Sequence, residues 1–453
     1  MKLKITVIGA GSEEFGPASV HDIFLSDLLC QQDLEVVLMD VNEESLPDIQ
    51  AYAEKVAKEL NRNPIITSTS NLDESLKETS FVIIAIELKR YHYWAQDFHI
   101  PRKYGFKQVY GENGGVGGLF HALRNIKSTL EIAKRMEKIC PEAWLLNYTN
   151  PLTKVCEAIN ILTSIKTIGL CHGILAGKYQ LAQFLEMDEE NLEVTASGLN
   201  HISWFQSIKD KNTGEDLYPK LKSREKQAHW LAEWDEIALS RILMRTYGLY
   251  PSPGANHIVE YIRWAGDFLA SDKIQFFYDP NEGHPWETGK IPTWVYSLQG
   301  NPTQVPLYPE KDINLVFELG KGDNREIIFS REYAIPIIEG LVCGANNSID
   351  AVNVPNNNFM PGIPEGAIVE VPAIVNKDGL QPQKTEELPE AILALLRTQV
   401  SINRLLIEAF DEQSKNKLLQ AILLEPTVNS YNNAVSCMNE MLAIQKDVLS
   451  EFK

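Results

Sequence analysis

The chain has 453 residues, with 42 Lys plus Arg against 61 Asp plus Glu, a formal charge of −19. That balance argues against a nucleic-acid binder, which needs a basic footprint, and no polybasic run offers a dock on anionic membrane. Hydrophobic residues at 44% and charged residues at 23% are ordinary for a globular protein, and a chain this long buries a large core in more than one domain.

The opening Met1-Lys2-Leu3-Lys4 runs straight into an apolar strand, without the apolar region of a signal peptide. Apolar runs such as residues 81–86 are far too short to span a bilayer. Six scattered cysteines (Cys30, Cys140, Cys156, Cys171, Cys343 and Cys437) form no C-x-x-C pair and read as reduced thiols of a cytoplasmic protein.

Residues 3–8 form a β-rich run, followed by Gly9-Ala10-Gly11-Ser12, a helical pattern over 17–29, a second strand over 34–39 and Asp40. Strand, glycine turn, helix, strand and acid open a dinucleotide-binding βαβ unit. Gly9 permits the tight turn, Gly11 lets backbone approach a pyrophosphate on the helix N-terminus, and Asp40 accepts from the ribose hydroxyls, which favours NAD over NADP. Glu14 stands where the fingerprint has its third glycine. Ser12 and Ile86, the latter ending the strand 81–86, join Gly9, Gly11 and Asp40 as expected cofactor contacts.

Further strands are expected at 143–146, ending in Asn147-Tyr148-Thr149-Asn150-Pro151, and at 166–170, ending in Cys171-His172-Gly173. A helix over 119–139 lies among them. The alternation predicts an α/β fold with a doubly wound, mostly parallel sheet whose carboxyl edge carries these polar residues. Past residue 195 the pattern changes: loop-rich stretches at 250–257 and 278–306, an Asn-, Pro- and Gly-dense stretch at 353–362, a strand at 369–375 leading to Asp378-Gly379, and helices over 386–412 and 413–424. The expected division is a nucleotide-binding domain, 1–195, and a second α/β or α+β domain, 196–453, closing over the cofactor.

A thiolate and an imidazole, Cys171 and His201, suit a borderline divalent metal; by themselves they also read as a buried thiol and a satisfied polar residue. No four-ligand zinc pattern is present. The run Gly111-Glu112-Asn113-Gly114-Gly115-Val116-Gly117-Gly118 either lets backbone approach a ligand or caps the next helix.

The order of these pieces resembles glycoside hydrolase family 4, the NAD- and divalent-metal-dependent glycosidases, which depart from the usual two-carboxylate mechanism. The matching segments are Gly9-Ala10-Gly11-Ser12, Ile100-Pro101-Arg102-Lys103-Tyr104-Gly105, the Gly111-Glu112 loop, Ala122-Leu123-Arg124, Asn147-Tyr148-Thr149-Asn150-Pro151, Gly169-Leu170-Cys171-His172-Gly173, Gly198-Leu199-Asn200-His201, Glu332-Tyr333-Ala334 and Val369-Glu370-Val371-Pro372-Ala373. The resemblance covers the whole chain and implies a Rossmann-like sheet of the lactate/malate dehydrogenase type.

In that family NAD+ oxidises the sugar at C3, a base takes the acidified C2 proton, the leaving group departs from C1, water adds, and NADH returns the hydride. The resemblance implies Cys171 and His201 as metal ligands, with Mn2+ as the metal, and Asn150, Asn200 and His257 as substrate contacts. It implies Glu112 as a loop acid, His172 as acid or hydroxyl-orienting group, and Tyr261 as base, with His257 the other candidate. Tyr261 and His257 are four apart and would share a helix face.

Members acting on 6-phosphosugars place an arginine near Trp94, and here the stretch reads Tyr91-His92-Tyr93-Trp94. Aromatics there suit an unphosphorylated sugar face, and the Cys-His-Gly form resembles members cleaving unphosphorylated α-glycosides. Lys89 and Arg90 could greet a uronic carboxylate or lie solvated. The expected substrate is an unphosphorylated α-hexoside or α-hexuronide, with a 6-phospho-glycoside as alternative, and the expected assembly a homodimer or homotetramer. A net NAD-dependent 2-hydroxy acid or sugar dehydrogenase is the competing reading; it would carry an arginine clamp and no metal-ligating cysteine. A non-catalytic NAD-binding regulator would tolerate loss of Cys171, His201 and Asn150.

Overall fold

The first strand, β1 (Lys2–Ile8), is buried at every residue after Lys2, the mark of a central parallel strand covered on both faces. In the computed structural model, which describes residues 2–12, 14–106, 111–227, 237–265 and 326–452, β1 pairs in parallel with β2 (Asp33–Met39) on one side and β4 (Phe81–Ile84) on the other. Strands β3 (Ile65–Thr69), β5 (Trp144–Asn147) and β6 (Lys166–Gly169) complete the parallel order β3-β2-β1-β4-β5-β6. This is the strand order of a doubly wound dinucleotide-binding sheet, and its switch point lies between β1 and β4.

The second half extends the same sheet. Strands β7 (Leu192–Leu199), β8 (Ile202–Asp210), β9 (Tyr250–Ser252), β10 (Asn347–Pro355) and β11 (Ile368–Asn376) continue it from β6 in the order β10-β11-β7-β8-β9, all antiparallel, and β12 (Gly379–Pro382) hangs on β11. One row of paired residues crosses eleven strands: Thr69, Met39, Ile8, Ile84, Asn147, Gly169, Asn353, Glu370, Gly198, Ser203 and Ser252. From Asn147 onward every member of the row is polar or glycine. The expected site residues Gly9, Asp40, Ile86, Asn150 and Cys171 stand one to three positions beyond it.

Alternate residues of the parallel strands feed opposite layers. Val7 and Ile83 join a core with Ile23 and Phe24 of the helix Phe15–Leu25 and with Ile49 and Val56 of the helix Leu46–Glu59. Ile8, Val82 and Ile84 join a second core with Leu119, Phe120 and Ile126 of the helix Gly115–Ile139. Into that second core come Ile402, Leu406, Leu418, Ala421, Met438 and Met441, from the helices Glu390–Asp411, Lys415–Leu424 and Tyr431–Ile444. The chain's last helices therefore pack on its first half.

Several boundaries differ from the sequence reading for local reasons. The helix expected over 17–29 breaks at Ser26, whose Oγ accepts from Leu29 N at 3.1 Å and starts a separate turn. The helix expected from 119 begins inside the glycine run, at Gly115. The Asn-rich stretch starts within β10; beyond it, Asn356 Nδ2 donates to Ile363 O at 2.9 Å and Asn356 Oδ1 accepts from Met360 N at 3.1 Å, closing the loop on one side chain. The stretch 278–306 lies outside the described residues. Among the described residues no helix is long and apolar enough to cross a membrane, and all six cysteines are free.

Candidate functional site

Gly9 has φ +88°, and a Cβ there would lie 2.1 Å from Ala85 O. Only glycine lets β1 end against the end of β4 in this way. Gly11 N donates to Asp40 Oδ2 at 2.9 Å, and a Cβ at Gly11 would meet Ser45 Oγ at 2.1 Å. Ser12 Oγ accepts from Phe15 N at 3.0 Å, shaping the entry to the helix Phe15–Leu25. The close helix–strand contact served by the fingerprint's third glycine falls here to Gly16, where a Cβ would sit 2.0 Å from Ala10 O. Glu14 in the third position is thus compensated two residues on. Gly9, Asp40, Ser70, Ile86 and Glu87 line a cavity of about 460 Å³ at the switch point.

A second cavity, about 310 Å³, lies against the helix Phe15–Leu25 and is lined by Asp22, Tyr148, Asn150, Cys171, His172 and Glu332 among others. Cys171 Sγ stands 3.5 Å from His201 Nε2. Two ligands at about 2.3 Å (S) and 2.1 Å (N) from one ion, at a tetrahedral angle, stand roughly 3.6 Å apart, so the pair has the spacing of a chelate. Burial holds the His201 imidazole well below its ordinary pKa, keeping it neutral, and burial pushes the Cys171 thiol up to about 12. A neutral imidazole is ready to ligate; the thiol needs a cation to ionise. Among the described residues no group of three His, Cys, Asp or Glu could hold a metal ion; Cys171 and His201 stand as a pair of donors.

His201 occupies the two-residue turn between β7 and β8 with φ +67°, a left-handed conformation uncommon for any residue but glycine. His257 packs its ring edge-on against His201, with centroids 4.4 Å apart at 84°. Burial lowers the His257 pKa to about 4. His172 Nδ1 contacts Glu332 Oε1 at 3.0 Å, and that hydrogen bond raises the imidazole's pKa. Asn150 is pinned through its carbonyl, which accepts from Asn125 Nδ2 at 2.6 Å. Asn125 in turn contacts His121 Nε2 at 2.8 Å, and His121 lies 3.3 Å from Glu87 in the first cavity's wall. One buried chain of polar groups therefore joins the two cavities.

Two family models match the sequence: Family 4 glycosyl hydrolase over residues 4–187, and Family 4 glycosyl hydrolase C-terminal domain over 196–428. The chain belongs to glycosyl hydrolase family 4. It is a glycoside hydrolase. It is 29% identical to an alpha-glucosidase of Erwinia rhapontici, with 100% of both chains covered, and 30% identical to an alpha-galactosidase of Bacillus subtilis, with 99% of this chain and 100% of the relative covered. The fold is similar to that of a 6-phospho-alpha-glucosidase from gut microorganisms solved in complex with NAD and Mn2+: TM-score 0.78, 22% identity, 100% of both chains covered.

The remaining expected residues of this family 4 hydrolase lie in surroundings that differ from those the sequence suggests. Glu112 lies outside the second cavity's wall, with a carboxylate oxygen 3.6 Å from Arg90 NH2; burial raises its pKa. Glu112 N and Asn113 N both donate, at 2.9 Å, to the carboxylate of Glu260. The loop glycines pack against protein: a Cβ at Gly114 would lie 2.8 Å from Glu260 O, and one at Gly117 would lie 2.3 Å from Asp97 O. His257 and Tyr261 do not share one helix face, because the helix Ala255–Ile258 gives way to a 3₁₀ turn, Val259–Tyr261. Tyr261 is buried, and burial followed by Glu260 pushes its hydroxyl well above the ordinary range.

Asn200, expected to touch substrate, is 4% exposed and donates to Glu370 Oε1 at 3.1 Å. Trp94 offers no stacking face: it is buried beneath the Arg90 guanidinium, 4.7 Å from its ring centroid, and Tyr93 is buried against Asp447. Arg90 itself bonds Glu87 at 2.5 Å. The sequence reading gave no role to Glu370, Glu260, Glu332 or Lys154. Glu370 did leave a signal, an acid at an inward position between Val369 and Val371 on an expected strand.

Proposed function

We propose that this family 4 enzyme hydrolyses an unphosphorylated α-hexoside or α-hexuronide, with NAD in the cavity lined by Gly9, Asp40 and Ile86 and reaching from there to Gly11 and Ser12 of the glycine turn, and a divalent metal, Mn2+ first, on Cys171 and His201. The observation that carries the reading is the 3.5 Å approach of His201 Nε2 to Cys171 Sγ, where Cys171 lines a cavity together with Asn150 and His172. When bound, NAD supplies reversible hydride acceptance and the metal supplies Lewis acidity toward neighbouring sugar hydroxyls.

Asn150 orients the sugar hydroxyls, its backbone fixed by Asn125. His172, held at Nδ1 by Glu332, uses Nε2 to hand a proton to the leaving oxygen. Tyr261 is the base of this reading only as its tyrosinate, a form that burial disfavours and that a neighbouring bound cation would have to favour, and His257 contacts the sugar. Glu112 holds a proton behind the glycine loop, where burial favours its neutral form. Among the described residues the second cavity is lined by Glu14, Asp22 and Glu332 and by no Lys or Arg. Such a wall repels a phosphate, and it ranks neutral hexosides ahead of hexuronides. Residues 1–195 as the NAD-binding part, 196–453 as the part completing the substrate site, a homodimer or homotetramer, and a cytoplasmic location belong to the same proposal.

The test is a panel of nitrophenyl α-hexosides, α-hexuronides and 6-phospho-α-hexosides with Mn2+ and NAD+, with and without chelator. The expected result is release of nitrophenol from an unphosphorylated substrate, dependent on both additions, with no accumulation of NADH. Stoichiometric NADH without aglycone would establish the dehydrogenase reading instead, and turnover confined to 6-phospho substrates would overturn the substrate class.

A further inference from the structure

Glu370 is 2% exposed and sits in the crossing row of the sheet, between Asn353 of β10 and Gly198 of β7. Its carboxylate collects three neutral donors: Asn200 Nδ2 at 3.1 Å and Asn353 Nδ2 at 3.1 Å on Oε1, and Ser203 Oγ at 2.6 Å on Oε2. Burying a carboxylate on neutral partners alone is costly unless a positive charge stands near.

Two of the three donors lie at the β7–β8 turn that carries His201: Asn200 is its first residue and Ser203 is the second residue of β8. Asn200 precedes His201 and also hydrogen-bonds Cys171. Ser203 Oγ also lies 3.2 Å from Leu199 O, across the same turn. One carboxylate thus grips both shoulders of a turn whose central histidine is in the left-handed region, and it reaches the cysteine through a single amide. The glycines on either side leave room for this: a Cβ at Gly169 would lie 2.9 Å from Asn353 Cβ, and one at Gly198 would lie 2.5 Å from Ser203 Cα.

We propose that Glu370 is a positioning residue for the metal centre: through Asn200 and Ser203 it locks the turn that presents His201 to Cys171, and its negative charge lies behind the pair to balance a bound divalent cation. The inference rests on the metal reading of Cys171 and His201. Groups behind the ligands commonly set metal affinity by about 10–100-fold when removed.

The experiment titrates full-length wild type, Glu370→Gln, Ser203→Ala and Cys171→Ser with Mn2+, following the free Mn2+ signal by EPR, and separately with NAD+ by fluorescence. Glu370→Gln keeps the shape and removes the charge; it is expected to weaken Mn2+ binding about 10–100-fold while leaving NAD+ affinity unchanged. Ser203→Ala, which keeps the charge and removes one bond, is expected to weaken Mn2+ binding by a smaller factor and serves if Glu370→Gln fails to fold. Unchanged Mn2+ affinity in a folded Glu370→Gln, or in Ser203→Ala where Glu370→Gln does not fold, overturns the proposal, as does a parallel loss of NAD+ affinity. Cys171→Ser separates the two readings: loss of Mn2+ binding there with none in Glu370→Gln sinks only the role of Glu370, whereas unaltered binding in Cys171→Ser sinks the metal assignment itself.

Discussion

His201 with φ +67° costs about 1–2 kcal/mol over glycine, which takes this conformation without a Cβ clash. The turn accepts that strain because the imidazole at this point faces Cys171 and packs edge-on against His257. Gly9 shows the opposite use of the left-handed region, since its backbone must pass where a Cβ would strike Ala85 O. Gly9→Ala is therefore expected to lower NAD+ affinity at least about tenfold and to lose about 1–3 kcal/mol of stability, read by fluorescence titration and thermal denaturation. Mn2+ affinity should stay at the wild-type value; a joint loss of both would show that the change spreads beyond the glycine turn. This residue was legible from Gly9-Ala10-Gly11 alone, because the demand on it is local. The compensating Gly16 was not, because its neighbour, Ala10 O, becomes visible only once the helix has docked.

At the scale of elements, Glu260 is the clasp between the glycine loop and the turn that carries His257 and Tyr261. Its carboxylate takes the amides of Glu112 and Asn113, while Lys154 Nζ donates to Asn113 O at 2.8 Å from the other side. Glu425, at the end of the helix Lys415–Leu424, accepts from Gly115 N at 3.1 Å. Lys154 is thus buried with three carboxyls, Glu157, Glu260 and Glu425, which cannot all be ionised against one ammonium. Burial raises Glu260 to about 8, Glu425 to about 7 and Glu157 to about 7.

A carboxyl raised in the folded chain holds a proton that the unfolded chain has released above its ordinary value near 4.5. The unfolded state then binds fewer protons, so stability falls as pH rises from about 4.5 toward 8 and levels off above that. The thermal midpoint should decline across this window, and Glu260→Gln should make the decline shallower. A midpoint that rises through the same window would contradict the clasp's protonated state. None of this network was legible: the glycine loop reads as a flexible cap or ligand contact because its partner carboxylate lies about 150 residues away in sequence, a pairing no local pattern encodes.

For the whole molecule, the two halves share one sheet and one of its cores. Strand β6 finds its next neighbour in β10, and the last helices return to cover Leu119, Phe120 and Ile126. Residues 1–195 expressed alone would expose that apolar face, so the fragment is expected to aggregate and to bind an apolar dye strongly where the full chain does not. A monomeric fragment with cooperative unfolding would show that the division near 195 is an independent folding boundary. The net charge of −19 fits a molecule whose anionic cofactor would rest on glycine-turn amides and a helix N-terminus rather than on surface lysines.

The nucleotide-binding unit, the alternation of strand and helix and, through the order of its motifs, the family are all written in the residues along the chain. The first two depend on neighbours within about forty residues, where hydrophobic period, turn chemistry and spacing are physically encoded; the family depends on the order of short motifs along the whole chain. Cys171 and His201 were legible as types at suggestive places. Their meeting was not, because the strands that deliver them, β6 and β7, follow one another in the chain yet are separated in the sheet by β10 and β11. Only the tertiary structure, by pairing backbone groups roughly two hundred residues apart, set Asn353 and Glu370 beneath that gap and decided which buried acid stands behind the ligands.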